Sequence, residues 1–445
     1  MEVQELYHSS KGNKLVFSLS LSSVKDESGK KFFSNSSWLF HCALFTGSNK
    51  SKKQEFMKKR HIAILALALI FFGLPLIMWI SWQATTPKPL SIFIMDKTSY
   101  NPQKIRNRAI NWVLKQYRFV KVDGRQYDAD SDYYGFFPVD NENFEIRDLS
   151  AYSRQEIQQL AVKYHMAYYV DSYGVYSNMW PVDRPDVIGA KKLYGGLQWE
   201  DILFLEMMHE RNKMIIAEFI FLAPPTPPQH RKMAEEIMGV EWQGWTGRFF
   251  HSLDKNHPDA IIPAWLPTLY EAQYGEEWQF TNSGIILIHL DETLLVLEQR
   301  EHLNNSSPAI RTDVANRREY GMSDRISYPG WFDITLPVHP DSEVISWYEL
   351  DLTEKGEVML QEYGIPVKFP AVIKGKKGGS TYYFAGDFGH NPLKRRFVML
   401  KGARFLELFF ADLNDPTDKS LFFLGFYLPM LRKILNEYQR EFTSR

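Results

Sequence analysis

Residues 62–82, "IAILALALIFFGLPLIMWISW", contain no charged side chain. As a helix this run is about 30 Å long, the thickness of a bilayer's hydrocarbon core. It has no polar face, so it cannot pack as an ordinary surface helix, and it divides the chain into a short segment on one side of a membrane and a long one on the other. Gly73 and Pro75 are tolerable in such a helix, and Trp79 and Trp82 fall where an interfacial aromatic belt lies. Lys50, Lys52, Lys53, Lys58, Lys59 and Arg60 flank it on one side, against Lys88 alone just beyond the other. The positive-inside bias therefore predicts a cytoplasmic N-terminus, a single-pass signal anchor over 57–85, and an extracytoplasmic remainder. A cleavable signal peptide fits less well, because the run is long for an h-region and Trp82 would occupy the −3 position. Residues 1–56 read as a flexible cytoplasmic tail, or as the product of too early a start, since "MKKRHIAILALAL" from Met57 resembles a natural signal-anchor beginning.

The expected partner of residues 62–82 is thus the lipid bilayer. A formal net charge of −1 argues against a nucleic-acid surface. Cys42 is the single cysteine, so no disulfide framework, zinc-thiolate site or thiol nucleophile can be built after the anchor. Neither a metal nor a cofactor is expected, for no His-x-x-x-His pair, phosphate loop or Gly-x-Ser-x-Gly elbow is present.

Beyond the anchor, "LSIFIMDKT", "AYYVDSYGVY" and "MIIAEF" read as apolar strands. Helices are expected over 105–116, 154–164, 199–211 and 228–238. Strand–helix alternation implies right-handed crossovers and a parallel sheet covered on both faces. Ligands of such sheets collect beyond the carboxyl ends of the strands. Asp96, Asp171 and Glu218 stand near those ends, which would explain why Glu218 interrupts an apolar run where an unpaired charge is costly. Further on, "GIILIHLDETLLVLE" predicts a hairpin around Asp291–Glu292. Strands in "GWFDITLPV", "EVISWYELDL", "PVKFPAVIKG" and "STYYFAGDF" would extend the sheet in mixed or antiparallel fashion, with "GKKGG" as a turn. Residues 304–325 read as a long polar loop, and 421–431 as a docked helix too short to span a bilayer. The organisation expected is a core over 90–300 and a β-rich extension with a terminal helix over 301–445.

The pieces "SIFIMD", "YYVDSYG" with "YGGLQWED" after it, "MIIAEF" and "GKKGGSTYYFAGDF" resemble the class I glutamine amidotransferase-like superfamily, including its trehalose-utilisation-type members. The resemblance implies a flavodoxin-type α/β fold over roughly 90–300 plus 365–392. The superfamily's glutaminase chemistry needs a cysteine elbow and a His-x-Glu. Neither has a counterpart here, where "GDFGH" ends on His390.

Two carboxylates flanking a glycosidic bond work as acid and base when about 5–10 Å apart, and Glu218 with Asp171 is the pair to test. The alternative is that Glu218 pairs with Arg248, or accepts backbone hydrogen bonds, and catalyses nothing. The stretches "YYGFFP", "SYGVYSNMW" and "EWQGWTGRFF" read as aromatic loops near strand ends. Sugar C–H faces stack on rings while hydroxyls bond charged groups. Asp96, Arg248 and Asp387 are therefore candidate polar contacts, and Tyr134, Tyr173, Trp180 and Trp245 candidate stacking surfaces. Three functions are expected on these grounds: binding of an envelope or extracellular saccharide, hydrolysis of a glycan through Glu218 and Asp171, or a scaffold among envelope assembly proteins.

Overall fold

The computed structural model describes residues 50–101, 106–140, 142–181, 189–257, 262–304, 307–375, 380–391, 397–411 and 419–444. Most of the N-terminal tail and residues 376–379 of the expected "GKKGG" turn lie outside them. The chain divides into two units, Met1–Leu74 and Pro75–Arg445.

Among the described residues one helix, Glu55–Gln83, is long and apolar enough to cross a membrane. Its turn at Leu69–Gly73 is π-helical. Pro75, just beyond, has no N–H to return to the preceding turn, and a widened turn is the usual accommodation. Within the second unit the end of this helix is locked into the fold. Trp82 is buried, its indole N–H donates to the carbonyls of Lys115 and Gln116 at 3.2 Å each, and the Arg118 guanidinium lies over its ring.

The second unit is a mixed α/β fold built on a ten-stranded sheet. Its strands run, edge to edge, Arg325–Ser327, Ala309–Thr312, Glu343–Glu349, Lys368–Gly375, Thr381–Phe384, Met214–Glu218, Met166–Asp171, Ile92–Asp96, Tyr134–Pro138 and Phe144–Arg147. The middle five are parallel and both flanks antiparallel. Every residue of Ile92–Asp96, Met166–Asp171 and Met214–Glu218 is buried. This is the reason these strands read as unbroken apolar runs rather than as alternating ones. A second, four-stranded sheet joins Leu294–Glu298, Gly284–His289, Val240–Phe250 and Trp331–Pro337. Its first two strands form the hairpin expected at Asp291–Glu292.

Three sequence expectations are corrected. "EWQGWTGRFF" is not a loop but most of the strand Val240–Phe250. A Cβ on Gly247 would stand 2.5 Å from the Phe332 ring, so this glycine marks close packing rather than a turn. "YYGFFP" likewise holds the strand Tyr134–Pro138. The supposed loop 304–325 contains the strand Ala309–Thr312 and the helix Val314–Tyr320, whose N-terminus is capped by the Asp313 carboxylate accepting from the Asn316 amide.

The C-terminal segment docks as expected, and a second proline shapes it. Pro429 cannot donate to the Gly425 carbonyl. That carbonyl accepts instead from the Ser323 amide at 2.9 Å, and the turn Phe423–Tyr427 is π-helical. The widened turn sits where Tyr427 reaches the sheet's acidic end.

Candidate functional site

The parallel strands place three carboxylates at one end of the sheet. Met166–Asp171 lies between the strands of Asp96 and Glu218. Asp96 and Asp171 are register partners, because Val170 is an extra residue that shifts the pairing after Met95. Asp387, on the loop after Thr381–Phe384, joins them through Arg106, whose Nη1 lies 3.3 Å from Asp387 and whose Nε lies 3.7 Å from Asp171. Asp96, Asp171, Glu218 and Asp387, all singled out from sequence, therefore share one site. Arg106, His390 and Lys419 complete it and were not anticipated as members.

Each carboxylate has a different task. Asp96 accepts from Ser99 Oγ (2.6 Å), the Asn107 amide (3.1 Å) and the Thr98 amide (3.2 Å), which fastens the loop leading to the helix Arg108–Gln116. Asp171 accepts from Thr98 Oγ1 (2.7 Å) and the Tyr173 amide (2.8 Å). Burial pushes its pKa up to about 7, and Asp387 and Asp96 add to the rise while Arg106 and the Thr98 hydroxyl oppose it. Glu218 is 1% exposed. Its Oε1 accepts from Tyr168 (2.5 Å) and Tyr427 (3.4 Å), and its Oε2 from the Gly389 amide (2.6 Å). Burial outweighs these bonds and raises its pKa to about 8, so it carries a proton at neutral pH. The backbone-amide alternative for Glu218 is thus met, with two tyrosines added; pairing with Arg248 is not.

Asp387 is the ionised member. Burial opposes its charge, but the Arg106 and Lys419 charges and the hydrogen bond with His390 outweigh burial and hold its carboxyl well below the usual range. His390 Nδ1 lies 3.0 Å from Asp387 and also faces Arg106. Burial and the Arg106 charge depress its pKa to about 4, so its imidazole is neutral at pH 7. The His390 side chain is 37% exposed and forms part of the boundary between the cluster and solvent. Lys419 donates to the His390 carbonyl at 3.0 Å, tying the C-terminal helix to this loop.

Arg248 reaches the same place from the second sheet. Its guanidinium lies 5.0 Å from the centre of the Phe250 ring and 5.4 Å from that of Trp331. Burial lowers its pKa and the nearby Asp387 charge partly restores it. Trp331 is tied to the cluster, since its carbonyl accepts from the Asp387 amide. Among the described residues Arg248 makes neither a side-chain hydrogen bond nor an ion pair.

The aromatic expectations divide. Tyr173 borders the cluster, half-buried and packed on Tyr176. Trp180 is buried edge-on against Phe136 and Phe144. Trp245 is buried on the second sheet against His289 and Tyr363. Tyr134 stacks on Phe93 and shares a hydrogen bond with Tyr164. Trp180, Trp245 and Tyr134 are core or flank residues, so as stacking surfaces for a ligand at this cluster they are corrected. Asp201, in the first turn of the helix Trp199–Glu210, is held in a buried ion pair with Lys97 at 2.6 Å.

A cavity of about 1080 Å³ lies elsewhere, lined by Ser91, Tyr127, Tyr134, Tyr164 and His165. Six of the charged residues in its walls are paired, Lys121 with Asp132, Arg125 with Asp123 and Arg147 with Glu145. Arg248, which has no such partner among the described residues, lies at the strand ends.

No protein-family model matches the sequence, and no curated protein does. Structural neighbours include a ThuA-like protein from Parabacteroides merdae, 10% identical, covering 67% of this chain and 79% of that one with a TM-score of 0.31. They also include a glutamine amidotransferase from Thermotoga maritima, 9% identical, covering 79% and 98% with a TM-score of 0.31. An exo-β-1,4-mannosidase from an Opitutaceae bacterium is 8% identical and covers 77% and 36% with a TM-score of 0.29. Likenesses of this size say nothing about the chemistry of the site.

Proposed function

We propose that this chain is a single-pass, membrane-anchored protein whose extracytoplasmic α/β domain binds a saccharide bearing an acidic group at the carboxyl end of its parallel strands. The observation that carries the reading is Arg248, a half-buried guanidinium braced by two aromatic rings, without a hydrogen-bonding or ion-pairing partner among the described residues. A cation kept in that state is poised for an anion that is not part of the protein, since a planar fork meets a carboxylate in two parallel hydrogen bonds. Protonated Glu218 and neutral His390 keep the neighbouring negative charge low at neutral pH. Tyr173, whose amide donates to Asp171, and Trp331, whose carbonyl accepts from the Asp387 amide, put half-buried aromatic side chains at the cluster. The apolar run at 62–82 supports the anchor, and its flanking lysines support the orientation.

The test is a glycan array in which each acidic oligosaccharide is printed beside its methyl ester, probed with the full chain in detergent. We expect retention on a subset of acids, loss on their esters, and at least about tenfold weaker retention by Arg248→Gln, the scale of one charge-assisted hydrogen-bonded contact. Equal retention of acid and ester would sink the reading.

One observation favours a second reading, hydrolysis with Glu218 as acid and Asp171 as its partner: Glu218 holds its proton at neutral pH. Release of new reducing ends from the retained glycans, abolished in Glu218→Gln with binding intact, would establish it. No release from any retained glycan leaves binding as the function.

A further inference from the structure

We infer that the helix Ala403–Phe410 is a membrane-surface element that lies in the bilayer interface beside the outgoing end of the apolar helix. This rests on the membrane-anchor reading and is independent of the ligand site. Phe405, Leu408 and Phe409 recur at i, i+3 and i+4 and so share one face. Phe405 is 77% exposed and Phe409 84%, while Ala403 on the other side is buried. Phe410 is also exposed, stacked on Phe397. A soluble protein rarely leaves that much aromatic surface bare without an occupant.

The occupant is indicated by what lies alongside. The Lys401 amide donates to the Met78 carbonyl at 3.0 Å, and at Gly402 the Met78 methyl and the Phe405 ring both come within 4 Å of where a Cβ would stand. Leu76, Ile77, Trp79 and Ile80 around Met78 are exposed as well. The bare face of Ala403–Phe410 therefore continues the apolar surface of a helix end that belongs to the same unit. The depths agree. Met78 is four residues before Trp82, where the charge-free run ends, or about 6 Å along the helix. Interfacial helices seat their apolar faces about 5–10 Å into the boundary between headgroups and acyl chains. Lys401 is exposed at the start of this element, where an ammonium meets lipid phosphate.

The inference assigns the partner as lipid. A second copy of the chain or another protein would cover the same face, and the experiment separates them. The full chain carrying Cys42→Ser and one new cysteine, Phe409→Cys or Phe405→Cys, is labelled with a nitroxide. It is then reconstituted in phosphatidylethanolamine–phosphatidylglycerol vesicles. Collision with oxygen, which concentrates in lipid, is compared with collision with a water-soluble nickel chelate. The Phe71→Cys variant is the reference for the anchor and Val122→Cys, at an exposed loop residue, the reference for water. We expect oxygen to dominate nickel several-fold at both 405 and 409, as at 71, with the reverse at 122. An aqueous pattern at 405 and 409 with a lipid pattern at 71 overturns the inference and spares the anchor. Exclusion of both reagents at 405 and 409 means that protein covers the face, and overturns it too. An aqueous pattern at 71 removes the anchor and this inference together.

Discussion

Glu218→Ala is expected to destabilise the fold by about 3–5 kcal/mol at pH 6, while Glu218→Gln matches wild type only near pH 4.5 and becomes increasingly more stable than wild type as pH rises toward 8. The alanine variant strands three donors in a dry interior, the Tyr168 and Tyr427 hydroxyls and the Gly389 amide, and opens a cavity as well. Glutamine mimics the protonated acid. Its oxygen accepts from Gly389, and its amide donates to Tyr168, whose hydroxyl proton turns to Tyr427, 2.8 Å away.

The pH dependence has a definite sign. Glu218 titrates at about 8 in the fold, against an ordinary value of 4.5. Between those values the native chain holds a proton that the unfolded chain has released, so stability is full below pH 4.5 and is lost as pH rises toward 8. At about 1.4 kcal/mol per pH unit the loss approaches roughly 5 kcal/mol, taken as an upper figure. Asp171, raised from 3.8 to about 7, contributes in the same direction. Melting midpoints of the full chain at pH 5.5, 7 and 8.5 check this. Wild type should fall across the series and Glu218→Gln should fall less. Parallel slopes for the two proteins would show that Glu218 does not hold the proton.

The second large effect lies behind the site. Lys97 and Asp201 are both buried, their charges 2.6 Å apart, and Lys97 also donates to the Gly196 carbonyl. Removing one partner leaves the other as an uncompensated buried charge, at about 3–5 kcal/mol. Lys97→Met or Asp201→Leu alone should therefore lower stability by that amount. The double variant should recover part of it, because an apolar pair of similar volume avoids both charge-desolvation penalties while the Gly196 carbonyl and the Gln198 amide still lose a partner. Additive losses in the double-mutant cycle would mean that the two charges do not compensate each other.

What could be read from the sequence has a physical boundary. Ile92–Asp96, Met166–Asp171 and Met214–Glu218 were legible because strands buried on both faces are unbroken apolar runs, and an acid closing such a run has few places to point. Their convergence came from strand order. Arg106, His390 and Lys419 were not legible as site members. They sit on loops and at a helix start, and only closure of the tertiary structure brings them to the strand tips. Trp180 and Trp245 misled for the opposite reason, since a large ring beside a polar stretch packs inward as readily as it lines a cleft. Signals were also overlooked. Asp313 three residues before Asn316, with Gly321 beyond in the left-handed conformation, bounds the helix Val314–Tyr320.

In the function proposed above, the acidic strand tips and Arg248 form one recognition site for an anion. Titration calorimetry of an acidic glycan retained on the array, with wild type and Arg248→Gln at pH 6 and pH 8.5, tests it most directly. The account predicts tighter wild-type binding at pH 6, because Asp171 gains negative charge as pH passes about 7, and a loss of at least about tenfold in Arg248→Gln at pH 6. Equal affinity of the two proteins for that glycan would contradict it.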